Sequence, residues 1–313
     1  MLSEVFDIAL FGAMFRMATP IILAALGGAI CAQAGVFNMA LEGFMLVGAF
    51  CAVVGTFYFD SIAAGLALAL IGSGLLALVF SFAVLKMRSH TIVLGTALNL
   101  LATGATQYLI GRMYDSGYYR GMQLAGLPNI DLPLISQIPV LSEILSGHSI
   151  IVYLSWVLPL FASLLLYRQV LGLRIRAVGE NPEAATTLGI SVPKVRFVAI
   201  MLSGVLCGLA GAQLSMSNVR LFVEDMTAGR GFIALVAVLF ARERPLGVLG
   251  ASLLFGLTDA LSLRLQAARV APQFIMMIPY LATLVALFAT RGRVAALVGE
   301  GTRETEEAEK KSG

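Results

Sequence analysis

The sequence predicts an all-α polytopic membrane protein with about nine transmembrane helices (a range of eight to ten) in two inverted-topology halves. Of its 313 residues, 59% are hydrophobic and 12% are charged, whereas an ordinary soluble domain is roughly 25% charged. The mean hydropathy is +0.91. Because so few charges cannot cover a water-exposed surface, these values exclude a soluble enzyme, a nucleic-acid-binding protein and a disordered chain.

Long intervals without charged residues predict the individual spans, since a helix needs about 20 residues to cross the hydrocarbon core. The uncharged intervals are 17–41, 43–59, 61–85, 89–111, 144–167, 197–219, 231–241, 245–258 and 270–290. The two short intervals, 231–241 and 245–258, predict either partial helices buried in protein or helices extended by their flanking residues. The runs do not alternate over about ten residues, as the strands of a β-barrel would.

Lysine and arginine residues predict which side each loop faces. The loops on one predicted side of the membrane, together with the C-terminal tail, carry fourteen of these residues, and the loops on the other side carry five. The positive-inside rule places the richer set in the cytoplasm, with the N-terminus outside and the C-terminus cytoplasmic. We therefore expect a transmembrane domain over 1–299, with an outer loop at 111–147 and a cytoplasmic loop at 168–196. The outer loop is either a connector or a docking surface, and residues 300–313 are expected to form a disordered, charged cytoplasmic tail.

Two segments of the chain echo each other. Residues 42–44 (EGF) and 230–232 (RGF) each open an apolar run after a stretch rich in small residues. The predicted topology starts the first run inside and the second outside, as expected for inverted repeats around a central pathway. A chance similarity is the alternative, because the match is short. If the repeats exist, Glu42 and Arg230 lie toward opposite faces, and no ion pair between them is expected.

The cytoplasmic loop contains a predicted short helix over 182–188. Asn181 is a favourable N-cap, and Pro182 suits the first helical position. Glu183 places a negative charge in the first turn, and Gly189 provides a left-handed stop. A helix of about two turns is unstable alone and depends on packing. It either inserts into a cleft on a cytoplasmic partner or is a plain structural loop helix.

Several motifs occur in order between about residues 15 and 290. They are GVFNMALEG (35–43), RAVGENPEAA (176–185) followed by GI (189–190), SG (203–204), GLAGA (208–212), MTAGRGFIA (226–234), PLG (245–247) and LFGLTDA (254–260). This set resembles the permeases in the branched-chain amino acid, simple sugar and nucleoside branch of ABC importers. It is most similar to guanosine-type nucleoside permeases and simple-sugar permeases.

The resemblance implies a non-catalytic permease subunit of an ATP-driven importer of a nucleoside or simple sugar, located in the lipid bilayer of a bacterial inner membrane. Its expected partners are a cytoplasmic ATP-binding subunit, an external substrate-binding protein, and a second related permease or a copy of itself. The chain has no G-x-x-x-x-G-K-[ST] loop, so ATP and Mg²⁺ are expected on the partner, with no cofactor, metal or nucleic acid on this chain. The residues expected to couple to the ATPase are Gly179, Glu180, Asn181, Pro182, Glu183, Ala184, Ala185 and Gly189.

Polar residues within or next to the apolar intervals are candidates for lining a solute pathway, because a central charge costs on the order of 2.5–3.5 kcal/mol on insertion scales. The candidates are Asn38, Glu42, Asn99 and Asp259, and Gln107 and Asn218 are further polar residues of these intervals. Asn38 and Glu42 have a structural alternative, since a carboxylate near a helix start is favourable. Asp259 also has one, a bond within its own half.

Two other functional classes are considered. An ion-coupled secondary transporter of a small polar solute needs no ATPase and uses an ion or proton site within the spans. An intramembrane hydrolase needs a serine–histidine pair, paired aspartates or a histidine-rich zinc site. Ser203 and Ser73 have no nearby histidine, His148 is expected at an outer edge, and Asp259 is the only aspartate expected within a span. The sequence therefore disfavours the hydrolase.

Overall fold

The computed structural model describes Asp7, residues 9–115, 126–131 and 144–266, and Leu281. The helices are α1 (Ala9–Gln33), α2 (Leu41–Phe59), α3 (Ile62–Leu85), α4 (Thr91–Asp115), α5 (Ile150–Arg168), α6 (Val170–Glu180), α7 (Pro182–Thr187), α8 (Val192–Ala212), α9 (Arg230–Phe240) and α10 (Pro245–Gln266). A π-helical segment, Gln213–Val219, continues α8. The chain divides into two compact units, 1–261 and 262–313, and the second is described only at 262–266 and Leu281.

Seven of the described helices are long and apolar enough to cross a membrane: α1 to α5, α8 with part of its π-helical segment, and α10. The predicted count of about nine is therefore not confirmed. The interval 231–241 forms α9, which has 11 residues and is roughly 16.5 Å long at 1.5 Å per residue, too short for the hydrocarbon core. The predicted span at 270–290 and the predicted tail at 300–313 lie outside the described residues.

The ends of most spans lie close to the charged residues that predicted them, because charges are unfavourable in the hydrocarbon region. The first span is an exception. It was expected to begin at residue 17, but α1 begins at Ala9 and carries Arg16 on its exposed surface. A short antiparallel pair joins β1 (Asn129–Ile130), within the predicted outer loop, to β2 (His148–Ser149), which directly follows that loop.

Helix α8 lies at the centre of the bundle, where it packs against α1, α2 and α3. Small residues permit this close approach. A Cβ atom added at Gly48 of α2 would lie 2.8 Å from the Cα atom of Gly208 on α8, and one added at Gly27 of α1 would lie 2.9 Å from the Cα atom of Ser203. The backbones of three helices are therefore in direct contact at the core.

Two non-helical segments, 34–40 and 220–229, lead into helices that begin inside the bundle. Leu41, the first residue of α2, packs on Gly28, which precedes the end of α1 by five residues, so segment 34–40 folds back along α1. Helix α9 begins at Arg230, and Gly231 in its first turn is buried against the backbone of Glu42. The starts of α2 and α9 consequently lie beside each other, which positions the residues of the site.

Candidate functional site

The carboxylate of Glu42 holds the start of α9. Its Oε1 atom accepts a hydrogen bond from the Gly229 N–H at 2.9 Å, and its Oε2 atom accepts one from the Gly231 N–H at 2.5 Å. The Arg230 N–H donates to the Thr227 carbonyl at 2.9 Å. Since the first N–H groups of a helix have no partner within the helix, a carboxylate at this position satisfies two donors and is favoured by the helix dipole.

The expectation that Glu42 and Arg230 lie toward opposite faces is wrong. The Glu42 carboxylate bonds the N–H groups on either side of Arg230. The physical reason is that α9 is not a complete span. It begins inside the bundle, where its first turn reaches the first turn of α2.

The start of α2 is held in the same way by a side chain from another helix. The Oδ1 atom of Asn99, on α4, accepts from the Gly43 N–H at 2.8 Å, and its Nδ2 atom donates to the Met39 carbonyl at 2.9 Å. Gly43 and Gly231 are the middle residues of the EGF and RGF segments. Gly43 is the third residue of α2, and Gly231 is the second residue of α9. A Cβ atom at either glycine would lie within 3 Å of the capping oxygen, at 2.9 Å from Asn99 Oδ1 and 2.6 Å from Glu42 Oε2.

Asn38 completes the anchoring of segment 34–40. Its Oδ1 atom accepts from the Ala40 N–H at 3.0 Å, and its Nδ2 atom donates to the Ser203 hydroxyl at 3.0 Å. Asn38 is buried, as are Glu42 and Asn99. All three side chains thus use both of their terminal polar atoms in bonds within the protein.

Asp259, the fourth pathway candidate, forms an ion pair with Arg230. The Arg230 Nε atom lies 3.2 Å from Asp259 Oδ2, and the two side chains are 19% and 10% exposed. The contact lacks the alignment of a hydrogen bond. The pair connects α10 to the first residue of α9, while Arg230 Nη1 also lies 3.4 Å from the carbonyls of Met226 and Thr227.

The predicted short helix is present as α7, which ends at Thr187, one residue earlier than expected. The Asn181 side chain accepts from the Ala184 N–H at 2.9 Å, and Pro182 is in the first turn. Gly189 has a φ of +78°. These local contacts match the caps that the sequence predicts, and they leave Ala184 exposed and Ala185 buried.

Leu188, directly after α7, is 79% exposed. It is a large apolar side chain, and its neighbours Thr187 and Gly189 are exposed as well. Sequence reasoning did not select it, because a single leucine among apolar helices carries no distinguishing signal.

The loop is joined to α1 through Gly179. A Cβ atom there would collide with the backbone carbonyl of Gln33, and Gly179 Cα would lie 3.4 Å from a Cβ atom on Gly35. The Arg196 Nε atom donates to the Ala34 carbonyl at 3.1 Å. Segment 34–40 therefore contacts residues of the loop on both sides of α7.

A polar cavity of about 440 Å³ lies beside the contact between Gly179 and Gln33. Its charged lining residues are Arg176, Glu180, Arg242, Glu243 and Arg244. Burial raises the pKa of the Glu243 carboxyl above its ordinary value. The Gln33 side chain donates to the Glu243 carbonyl at 2.7 Å, so the turn between α9 and α10 is tied to the end of α1.

The family described as "Branched-chain amino acid transport system / permease component" matches residues 10–287. The chain belongs to this permease family. The match extends from the second residue of α1 to beyond α10, so both the junction of the helix starts and the α7 loop lie within the matched segment.

Relatives of the permease are subunits of ABC transporters. It is 35% identical to the guanosine ABC transporter permease protein NupQ of Bacillus subtilis, over 91% of this chain and 92% of that protein. It is also 35% identical to the nucleoside ABC transporter permease protein NupC of Lactococcus lactis, over 92% and 94%. TsgC13 of Haloferax volcanii, provisionally named a glucose ABC transporter permease protein, is 35% identical over 90% and 91%.

A solved structure supports the fold of the permease. The protein in that solved structure is provisionally described as a metal-chelate type ABC transporter, in an inward-facing conformation. The superposition has a TM-score of 0.51 and covers 90% of this chain and 85% of that chain, at 18% sequence identity. The permease thus shares the fold of that chain.

The remaining polar residues selected from the sequence are less central to the permease. Gln107 is exposed on α4, and Asn218 lies in the π-helical segment, with its side chain outside the described part. Ser203 and the N–H groups of Gly229 and Gly231, which sequence reasoning missed, complete the junction. The echo of EGF and RGF is a signal that could have found Gly231.

Proposed function

We propose that this permease forms the translocation pathway of an ATP-driven importer of a nucleoside or simple sugar, and that α7 couples it to a separate ATPase. The names of its relatives support the solute class, since they assign guanosine, nucleosides and, provisionally, glucose to proteins 35% identical to it. The observation that carries the coupling role is the exposed apolar end of α7 at Leu188, on a loop fixed to the end of α1 by Gly179.

The assembly that follows from this proposal has the α7 loop in the cytoplasm, because that side carries most of the lysine and arginine residues. ATP-binding subunits dock there and hydrolyse ATP. An external substrate-binding protein delivers the solute to the opposite side, and a second related permease or a copy of this chain completes the pathway. Within the chain, we propose two inverted-topology halves that meet where Glu42 bonds the start of α9.

A series of contacts could carry motion of α7 to the centre of the bundle. Gly179 packs on Gln33 and Gly35 at the beginning of segment 34–40. That segment ends at α2, whose Glu42 caps α9. We propose that displacement of α7 moves this segment as a unit and so shifts both helix starts, which changes the side to which the pathway opens.

The proposed lining retains Asn38, Glu42, Asn99 and Asp259, with a role set by their bonds. Their polar atoms bond other groups of the protein. In this way they hold the polar backbone at the helix starts in a fixed arrangement for a passing solute. A weak site of this kind suits a subunit whose specificity is supplied by an external binding protein.

Replacing Leu188 by aspartate is expected to weaken binding of the ATPase about 30-fold. The physical reason is that burying a leucine side chain stabilises a contact by about 1.5–3 kcal/mol, which the charged residue forfeits. Ala184→Trp and Glu180→Arg should weaken ATPase coupling too, because they add bulk or reverse a charge on exposed positions of the same loop. The measurement is the affinity of purified ATPase for permease in nanodiscs.

Leu173→Asp is the matched control. Leu173 is 60% exposed and lies on α6, in the same loop but away from α7. This variant should retain the ATPase. Equal affinity in the Leu188→Asp and Leu173→Asp variants, together with unchanged transport, would remove α7 from the coupling role.

Reconstitution tests the function as a whole. Proteoliposomes that contain the permease, its ATPase and its binding protein should take up labelled guanosine or glucose only when ATP is supplied on the ATPase side. Uptake that runs on a proton or sodium gradient without the ATPase would establish the ion-coupled secondary transporter instead. Competition between guanosine and glucose then assigns the solute class.

A further inference from the structure

An apolar groove of about 650 Å³ lies between the end of α3 and the start of α8. Its walls include Leu78 and Phe82 on α3 and Phe197 on α8, all of which are more than 40% exposed. The two helices are held together further along by the Ser73 hydroxyl, which donates to the Gly204 carbonyl at 2.6 Å. The groove is therefore a wedge that opens toward the ends of the helices that carry Lys86 and Lys194.

Two lysines stand at this groove. The chain has four lysines, Lys86, Lys194, Lys310 and Lys311, and the first two both line it. Lys86 lies over the Phe82 ring, 5.2 Å from the centroid. Among the described residues that line the groove there is no aspartate or glutamate, so the two ammonium groups attract an anion from outside the chain.

Ser81 gives a second, independent indication of a ligand. It lines the groove and is 1% exposed, yet its buried hydroxyl has no hydrogen-bond partner within the described structure. A buried hydroxyl without an acceptor is unfavourable. Elsewhere in the bundle such groups bond the preceding turn of their own helix, as Thr56 and Thr106 do. The Ser81 hydroxyl remains available to an occupant of the groove.

We propose that this groove binds an anionic phospholipid. An acyl chain lies between Phe82 and Phe197, an ester carbonyl accepts from Ser81, and the phosphate lies between Lys86 and Lys194. The order along α3 fits this ligand, because Ser81 precedes Lys86 by five residues, or roughly 7.5 Å along the helix toward the hydrocarbon. Aromatic and basic residues at a membrane interface favour such lipids.

The groove also contacts the element that follows α7. Lys194 is in the first turn of α8, which begins five residues after α7 ends. A bound lipid therefore holds the beginning of α8 against the end of α3. Lipid binding can be measured on the permease alone, so a failure of this proposal is distinguishable from a failure of the proposed transport function.

The test is a lipid titration of the purified full-length permease, followed by native mass spectrometry, with phosphatidylglycerol and phosphatidylcholine as the two probes. The wild type should bind phosphatidylglycerol more tightly than phosphatidylcholine. K86Q/K194Q should weaken phosphatidylglycerol binding about 30-fold, from the loss of two lysines near the lipid surface. The matched control K310Q/K311Q removes the same charge from the tail and should bind as the wild type does.

A second variant tests the groove itself. Val198→Trp fills part of the lining and should weaken binding of both lipids while leaving the lysines in place. Equal binding of the two lipids by the wild type, or unweakened binding of phosphatidylglycerol by K86Q/K194Q, would overturn the proposal. Loss of the ATPase or of a second permease from K86Q/K194Q, with lipid binding unchanged, would identify a protein interface instead and would also overturn it.

Discussion

Replacing Glu42 by alanine is expected to destabilise the permease by about 3 kcal/mol or more and to abolish transport. The substitution removes the acceptors of two backbone N–H groups, those of Gly229 and Gly231. Hydrogen bonds to charged groups contribute about 1.5–3 kcal/mol each, and buried donors left unpaired add their desolvation penalty. The measurements are the unfolding midpoint in a denaturing-detergent titration and solute uptake in proteoliposomes.

Glu42→Gln and a surface glutamate provide the controls for this result. Glutamine keeps one acceptor oxygen but turns its amide donors toward the second N–H, so about half of the loss is expected. Glu224→Ala removes the same charge from an exposed position in segment 220–229 and should change stability by less than about 0.5 kcal/mol. Equal midpoints for Glu42→Ala and Glu224→Ala would show that the carboxylate does not hold α9.

Replacing only one member of the ion pair between Arg230 and Asp259 is expected to lower the free energy of unfolding by about 3 kcal/mol. The reason is that a poorly solvated charge is left without its partner. The two side chains are 19% and 10% exposed, so neither Asp259→Leu nor Arg230→Met exposes the remaining charge fully to water. The double variant, Arg230→Met with Asp259→Leu, should recover most of the stability, since apolar replacement of a buried pair is often neutral.

A double-mutant cycle measures this coupling. The unfolding free energies of the wild type, both single variants and the double variant should give an interaction energy of at least about 2 kcal/mol. Additive single effects would mean that the 3.2 Å contact contributes nothing. Transport of the double variant then distinguishes a role in stability from a role in the solute pathway, because only the latter requires the charges themselves.

Local interactions explain why the α7 loop could be read from the sequence in detail. Asn181 caps a residue three positions away, and Gly189 ends the helix within its own turn. Such contacts depend on spacing alone. The exposure of Leu188 could not be read in the same way, since it depends on which neighbouring helices cover the loop.

The number of membrane spans, in contrast, could not be predicted from the sequence alone. Interval 43–59 predicted α2 closely, whereas interval 231–241 predicted either an extended helix or a partial helix, and it forms the short helix α9. Hydropathy reports that a segment avoids water, but it does not distinguish burial in lipid from burial in protein. The close approach of Gly231 to Glu42 places the start of α9 inside the bundle.

Composition, charge gaps and local capping residues by themselves determined that this protein is a helical membrane protein with a short helix in its basic loop. The ordered motifs between about residues 15 and 290 carried the resemblance to a permease family, which the match over residues 10–287 confirmed. Only the tertiary structure decided that Glu42 caps a helix 187 residues away. A carboxylate can satisfy any helix start within its reach, and which start that is depends on the packing of the whole bundle.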